Sequence, residues 1–173
     1  MKHTHERCQA LPFLWPDPPF QVVLVEPEIP QNTGTIARLC AATGTPLHLV
    51  GPLGFSLTSS HLRRAGLDYW ESVKLARHSH WEEFRKKESE GRSQEPEDWY
   101  FSTRGTIPYT AARFKPGDRL IFGSESKGLS DELLAGHESH TLAVPMQVEH
   151  VRSLNLAMTV GIVLYEALRQ AQE

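Results

Sequence analysis

The sequence predicts an α/β protein with a mostly parallel sheet and helices on both faces of that sheet. Short runs rich in apolar and β-branched residues alternate with helical patterns along the chain, which is typical of this class. Most of these runs, such as QVVLV at 21–25, contain few polar residues, as strands buried on both faces of a parallel sheet do. With 173 residues, 39% of them hydrophobic and 23% charged, the chain can form one domain around its own core.

The same alternation predicts the elements in chain order. We predict strands at 21–25, 47–50, 72–75, 99–102, 119–122 and 141–144. Helices are predicted between them at 33–43, 59–66, 80–88, 108–113 and 130–135, followed by a final helix at 153–171. Residues 20–173 are therefore expected to form a single domain.

Two segments do not fit this alternation. Residues 1–19 are predicted to be a flexible N-terminal extension, because the four prolines between residues 12 and 19 suit neither a helix nor a central strand. Residues 86–97, with the sequence KKESEGRSQEPE, are polar, charged and without periodicity. We predict that they form a flexible surface loop inserted into the domain.

The first helix follows the stretch PEIPQNTG and has a single apolar stripe. Asn32 or Thr33 can cap its start, and Gly44 can end it in the left-handed conformation. Arg38 lies about 200° around the helix from Ile36, so its side chain points away from the stripe. An arginine in that place is either a solvated surface residue or a group aimed at a ligand. The stripe consists of Ile36, Leu39, Cys40 and Thr43.

The stretch LIFGSESKGLSDELL at 120–134 reads as a strand, a glycine-rich turn and the start of a helix. Gly123 and Gly128 allow a ligand to approach the backbone closely, and Ser130 can cap the helix. The pattern is not that of a Walker phosphate-binding loop, because the lysine precedes the second glycine. An ordinary strand-to-helix turn explains the glycines, but Glu125 and Lys127 in so tight a turn favour a polar ligand.

The last helix differs from the others because apolar residues surround it almost completely. A helix of this kind has to be covered on all sides, either within the monomer or by a second subunit. Ser153 is a candidate for its N-terminal cap. Asn155 then falls in the first turn, where its amide needs partners, either backbone groups or a ligand.

Composition excludes several classes of protein. The net charge of −3 provides no general attraction to nucleic acid, so RNA binding would need a local basic patch such as the one at 59–81, which contains Arg63 and Arg64. Two cysteines, Cys8 and Cys40, are too few for a disulfide framework and fit a reducing cytoplasm. No histidine or cysteine spacing predicts a metal site, and neither a signal peptide nor a membrane-spanning stretch is recognisable.

Three motifs in this order resemble one family. PEIPQNTGTIARLCAATG, then FGSESKGL, then VPM followed by RSLNLAMTVGIVLYEAL, are similar to the three motifs of the SpoU branch of the SPOUT RNA 2′-O-methyltransferases. HLRRAGLDYW narrows the resemblance to the small, single-domain enzymes of this branch that methylate the wobble ribose of tRNA. The resemblance covers residues 21–170.

The resemblance implies an α/β fold with a C-terminal trefoil knot, S-adenosylmethionine bound in the knot, and a cytoplasmic homodimer. It implies that the substrate is the 2′-hydroxyl of nucleotide 34, a cytidine or modified uridine, in tRNA, with leucine tRNAs as the expected substrates. Another tRNA or rRNA site stays open as an alternative, as does a protein that binds RNA without methylating it.

The resemblance also implies roles for individual residues. The catalytic positions of the family match Asn32, Arg38, Glu125, Arg152, Ser153 and Asn155. The cofactor-binding positions match Phe101, Ser102, Thr103, Gly123, Glu125, Gly128, Val144, Met146, Ser153 and Leu154. Arg63, Arg64 and Arg38 are expected to bind RNA, and Tyr165 matches a tyrosine of the dimer interface. A guanidinium group stays protonated in proteins, so we expect Arg38 to hold phosphate and stabilise negative charge and not to act as the base.

Overall fold

The computed structural model describes residues 11–56, 70–89, 96–147 and 149–173. Within these residues the chain forms a seven-stranded sheet in which every pairing is parallel, in the order β3-β2-β1-β6-β4-β7-β5. The strands are β1 Gln21–Val25, β2 Leu47–Val50, β3 Leu75–His78, β4 Asp98–Phe101, β5 Ile107–Pro108, β6 Arg119–Phe122 and β7 Thr141–Ala143. The helices are α1 Pro30–Thr43, α2 Trp81–Ser89, α3 Asp131–Leu134 and α4 Leu156–Gln170.

Helices cover both faces of the sheet, which confirms the predicted fold class. Successive residues of β1 point to opposite faces: Val22 and Leu24 belong to a core that includes residues of α1 and α4. Val23 and Val25 belong to a second core, in which Phe84 of α2 packs against residues of the sheet. The central strands are buried on both faces, as their apolar composition predicts.

Three strand predictions need no change, two predicted elements are wrong, and the helix predicted at 59–66 lies outside the described residues. Strands β1, β2 and β6 have the predicted bounds. The strand predicted at 72–75 is wrong, because Trp70–Ser72 forms a 3-10 turn and the strand begins only at Leu75. The helix predicted at 108–113 is also wrong, because Pro108 ends the two-residue strand β5 and Tyr109–Ala111 forms a single 3-10 turn. Two residues are too few to produce a periodic pattern.

Helix α1 begins earlier than predicted. Ile29 occupies the N-cap position without a capping side chain, and Pro30 lies at the start of the helix, where its missing N–H costs nothing. Asn32 and Thr33 therefore lie inside the first turn and do not cap the helix, which leaves the Asn32 side chain available for another contact. The predicted C-terminal glycine is confirmed, since Gly44 has a φ of 68°.

The buried thiol of α1 is a core residue. Cys40 is free and only 1% exposed, and burial raises the pKa of its thiol to about 12. A thiol that stays protonated makes a poor nucleophile, which agrees with its place on the apolar stripe.

The monomer covers only one face of α4. Val160, Val163 and Leu164 are fully buried against the sheet and α1. On the other face, Met158 is 61% exposed and Tyr165 is 55% exposed. The expectation that apolar residues surround this helix is therefore met, but the single chain does not bury them all.

The two exceptional segments are only partly described. Within residues 11–19, the Leu14 N–H donates to Gln172 Oε1 at 3.1 Å, and Gln172 Nε2 donates back to the Leu14 carbonyl at 2.8 Å. Helix α2 continues through Ser89, so the loop predicted to begin at residue 86 begins no earlier than residue 90. Residues 90–95 lie outside the described residues, and the domain boundaries stay a prediction.

In the described residues, every helix is too short or too polar to cross a lipid bilayer.

Candidate functional site

A cavity of about 790 Å³ opens at the carboxyl ends of the strands. Its walls are the loops that follow β4, β6 and β7, together with residues at the start of α1 and α4. The carboxyl ends of parallel strands lie at the same edge of a sheet, so loops that are far apart in the sequence meet there. The volume lies within the range of about 300 to 1,000 Å³ that small-molecule sites occupy.

Close backbone approaches shape these walls. A Cβ atom on Gly123 would lie 2.0 Å from the carbonyl carbon of Gly128, because the loop after β6 folds back on itself. Gly128 has a φ of 70°, and its N–H donates to the Ser124 carbonyl at 2.9 Å. A Cβ on Gly105 would lie 2.6 Å from the Leu142 carbonyl carbon, where the loop after β4 passes β7. Glycine is required at 123 and 105 for this reason.

The Glu125 carboxylate ties the loop after β6 to the start of α1. Its Oε2 accepts from the Glu28 N–H at 2.7 Å, while Oε1 accepts from the Ile29 N–H at 3.3 Å and from Asn32 Nδ2 at 3.0 Å. The amino-terminal end of a helix presents unpaired N–H groups and a positive dipole, both of which favour a carboxylate. Glu125 is thus held in one orientation at the edge of the cavity.

Asn155 connects the same network to α4. Its Nδ2 donates to Asn32 Oδ1 at 2.9 Å, and its own Oδ1 accepts from the N–H groups of Ala157 at 2.9 Å and Met158 at 3.3 Å. Asn155 is therefore the N-cap of α4, and the prediction that Ser153 caps this helix is wrong. The amide partners that the sequence required for Asn155 are backbone groups and the Asn32 side chain.

Glu28 and Ser126, which neighbour this network, also form two hydrogen bonds with each other. The Glu28 carboxylate accepts from the Ser126 N–H at 2.9 Å and from the Ser126 Oγ at 2.7 Å. These two bonds lower the pKa of the Glu28 carboxyl below its ordinary value. Sequence reasoning missed Glu28 as a site residue, although an acid between the two prolines of PEIP was a usable signal.

The structure brings most of the predicted site residues together. Asn32, Arg152 and Asn155 line the cavity. So do all ten residues predicted to bind the cofactor, namely Phe101, Ser102, Thr103, Gly123, Glu125, Gly128, Val144, Met146, Ser153 and Leu154. Their shared location agrees with the prediction, and their individual roles stay predictions.

Two predicted functional residues, Arg38 and Tyr165, lie outside the cavity, and two more fall on residues that the structure does not describe. Arg38 is exposed on α1, as its position opposite the apolar stripe predicts, and it is not among the residues that line the cavity. Arg63 and Arg64 lie outside the described residues. Tyr165, predicted at a dimer interface, lies on the exposed face of α4.

Sequence reasoning also missed Arg104 in the loop after β4. Its guanidinium group lines the cavity and donates to the Asp131 carboxylate and to the Leu129 carbonyl, so it links this loop to the one after β6. In the sequence, only its position two residues beyond Ser102 could have indicated that Arg104 lines the cavity.

No group of three or more His, Cys, Asp or Glu side chains in the described part of the chain is arranged to hold a metal ion.

Comparison with known proteins identifies close relatives. The sequence profile of the SpoU rRNA Methylase family matches residues 19–165. The tRNA (cytidine(34)-2'-O)-methyltransferase of Burkholderia pseudomallei is 44% identical over 153 residues, which cover 88% of this chain and 96% of that protein. A solved structure described as "Structural insights into the 2-OH methylation of C/U34 on tRNA" is 49% identical with a TM-score of 0.80, and the match covers 87% of this chain and 95% of that one.

A more distant structure extends the comparison. The AdoMet bound rRNA methyltransferase from Sinorhizobium meliloti is 28% identical with a TM-score of 0.74. The match covers 87% of this chain and 56% of that longer chain. The family profile includes every loop of the cavity and leaves residues 1–18 outside the match.

The capping role of Asn155 predicts how substitutions will affect stability. Asn155→Ala removes the acceptor for two N–H groups of α4 and should lower the free energy of unfolding by about 1 kcal/mol, as the loss of an N-cap typically does. Asn155→Ser keeps an acceptor for the helix and loses only the bond to Asn32, so it should recover most of that loss. Urea denaturation of both variants measures the difference. Equal destabilisation by serine and alanine would contradict the capping role.

Proposed function

The chain belongs to the SpoU rRNA Methylase family, and from this premise we propose that it transfers a methyl group from S-adenosylmethionine to a ribose 2′-hydroxyl of tRNA. The proposed nucleotide is number 34, a cytidine or modified uridine, because relatives that match nearly the full chain are named for methylation at that position. Leucine tRNAs are the proposed substrates, and the cytoplasm, where mature tRNA acts, is the proposed location.

One observation carries the proposal. The three family motifs lie far apart in the sequence, yet residues from each of them, including Asn32, Glu125 and Asn155, line a single cavity. Asn32, Glu125 and Asn155 also form one hydrogen-bonded chain beside this cavity, whose volume suits a small-molecule ligand.

The residues present fit S-adenosylmethionine. Phe101, Phe122, Leu129 and Val144 provide apolar surface suited to an adenine ring, while serine hydroxyls and loop backbone groups provide donors and acceptors. A family relative at 28% identity is described as AdoMet bound. When bound, S-adenosylmethionine supplies a methyl group on a positively charged sulfur, which is already a good leaving group.

Residues of the chain would then position and activate the ribose. Arg38 lies six residues beyond Asn32 on α1, about 9 Å further along the helix axis. Because Asn32 lines the cavity and Arg38 is exposed outside it, Arg38 is better placed to contact tRNA than the cofactor. We propose that its guanidinium group binds a tRNA phosphate and stabilises the negative charge that develops on the 2′-oxygen. The 2′-hydroxyl proton would pass to a phosphate oxygen or to water, because Arg38 itself stays protonated.

We also propose a knotted chain and a homodimer. Strand β7 lies between β4 and β5, whereas the following helix α4 packs against α1, which follows β1. The chain therefore returns across the sheet between β7 and α4, and this return supports the trefoil knot expected from the family. The exposed apolar face of α4 supports a second copy as its partner. Arg63 and Arg64 are proposed to bind tRNA phosphates.

Mapping of the methylated nucleotide tests the proposed function. Unmodified tRNA incubated with the protein and S-adenosylmethionine should gain one methyl group, on the ribose of nucleotide 34, as located by mass spectrometry of nuclease fragments. Methylation elsewhere in tRNA, or in rRNA as in the relative at 28% identity, would replace the proposed substrate. Binding of RNA without any methyl transfer would show a non-catalytic RNA-binding protein.

The exposed position of Arg38 predicts a specific loss of catalysis. Arg38→Ala should leave thermal stability and S-adenosylmethionine affinity near those of the parent, while single-turnover methyl transfer falls about 10²–10³-fold. Arg38→Lys should recover only part of the rate, because a point charge does not reproduce the planar pair of donors. Transfer by the alanine variant within threefold of the parent would exclude this role.

The uncovered face of α4 predicts a dimer in solution. Light scattering at micromolar concentration should measure about twice the monomer mass for the parent protein. Tyr165→Asp should shift the mass toward that of the monomer, because it would bury an unpaired charge in the interface. Glu132→Asp, a conservative change at an exposed position of α3, serves as the control. A parent protein that is monomeric at this concentration would exclude the dimer.

A further inference from the structure

Glu28 lies where two loops exchange hydrogen bonds. The Glu28 N–H donates to Glu125 Oε2 at 2.7 Å, and the Glu28 carboxylate accepts from both the N–H and the hydroxyl of Ser126. The loop before α1 therefore provides Glu28, which accepts a backbone N–H of the loop after β6, and the loop after β6 provides Glu125, which accepts a backbone N–H of the loop before α1. Two reciprocal contacts of this kind hold a loop more firmly than either contact alone, because neither loop can shift without breaking both.

A third loop packs directly against the backbone of Glu28. The Gly54 N–H donates to the Pro27 carbonyl at 3.0 Å, and a Cβ on Gly54 would lie 2.8 Å from the Glu28 Cα. Residue 54 belongs to the stretch that leads into residues 57–69, which contain Arg63 and Arg64. Glu28 is thus in contact with a cavity wall on one side and with the backbone at Gly54 on the other.

The backbone just before Glu28 adopts a conformation that few residues take. Glu26 has a φ of 50° although it is not a glycine, and a Cβ on the neighbouring Gly51 would lie 2.9 Å from the Glu26 Cγ. A conformation of this kind persists only where surrounding contacts hold it in place, and such places occur frequently at functional sites. The Glu26 N–H donates to the Val50 carbonyl at 2.8 Å, and the hydrogen bonds of Glu28 are further contacts of the same loop.

We propose that Glu28 is a positioning residue that holds the 123–128 loop, one wall of the cavity, in the shape that binds S-adenosylmethionine. This inference rests on the proposed function. Without the Glu28 carboxylate, the 123–128 loop keeps the hydrogen bonds of Glu125 but loses those of Ser126. Cofactor binding then has to order the loop, and the entropy lost in doing so reduces the binding free energy. The lost preorganisation weakens cofactor binding and leaves the methyl-transfer step itself intact.

Substitutions at Glu28 and Ser126 test this role by separating binding from rate. Glu28→Ala should weaken S-adenosylmethionine binding about 10-fold, in the range expected for losing charge-assisted hydrogen bonds, while kcat at saturating cofactor stays within about threefold. Glu28→Gln keeps one acceptor oxygen and should recover part of the affinity. Ser126→Ala should cause a smaller loss, and adding it to Glu28→Ala should change nothing further, because its partner is already absent.

Glu138→Ala is the matched control. The Glu138 carboxylate also accepts a backbone N–H in a surface loop, from Gly136 at 3.2 Å, but this residue does not line the cavity. Its removal should leave cofactor affinity unchanged. An equal loss of affinity in this control, or additive losses from Glu28→Ala and Ser126→Ala, would overturn the proposed role.

Hydrogen exchange in the absence of cofactor separates this inference from the proposed function. The amides of Ser126 and Gly128 should exchange at least about 10-fold faster in Glu28→Ala than in the parent, while amides of β6 should keep their protection. Unchanged exchange in the loop would overturn the inference even if the protein methylates tRNA. If the parent failed to bind S-adenosylmethionine, the proposed function and the cofactor role of Glu28 would both be wrong, whereas exchange would still decide whether Glu28 holds the loop.

Discussion

A chain of hydrogen bonds from Glu125 through Asn32 to Asn155 holds the cavity together. At the carboxyl edge of a parallel sheet the strands end, and the loops that follow them have no sheet partners for their polar groups. Here the Glu125 carboxylate receives the free N–H groups at the start of α1, and Asn155 receives those at the start of α4. Asn32, which is only 8% exposed, joins the two.

The side-chain amides of Asn32 and Asn155 each donate one hydrogen bond and accept another. An amide that caps a helix with its oxygen still has an N–H₂ group to donate, and Asn155 uses it to position Asn32. Asn32 in turn uses its own N–H₂ group on Glu125, so each of the three side chains is bonded to another member of the network. A network linked in this way fixes the relative positions of the loops, and such preorganisation at the edge of a cavity reduces the entropy lost when a ligand binds.

The cavity and the residues proposed to bind tRNA and a second subunit lie on different parts of the molecule. The cavity uses the loops after β4, β6 and β7, whereas Arg38 is presented by the exposed side of α1 and Tyr165 by the exposed side of α4. Because α1 and α4 pack against each other through their buried faces, their outward faces have fixed relative positions. A family that methylates RNA needs such a division, since the cofactor has to be enclosed while the polynucleotide approaches from outside.

The layered core and the outward position of Arg38 follow from the amino-acid sequence alone, because both depend on the periodicity of apolar residues along single elements. The sequence also located the three motif stretches whose residues line the cavity, and the left-handed Gly44 that ends α1. The folded structure shows in addition that Asn155 and not Ser153 caps α4. It also shows that Asn32 bridges Glu125 and Asn155 instead of capping α1, and that Ser126 donates two hydrogen bonds to Glu28. The bonds that join Asn32 to Glu125, Glu28 to Ser126 and Asn155 to Asn32 connect residues 93, 98 and 123 positions apart in the chain. No local pattern specifies partners at that distance, because they are chosen by which loops the parallel sheet brings to its carboxyl edge.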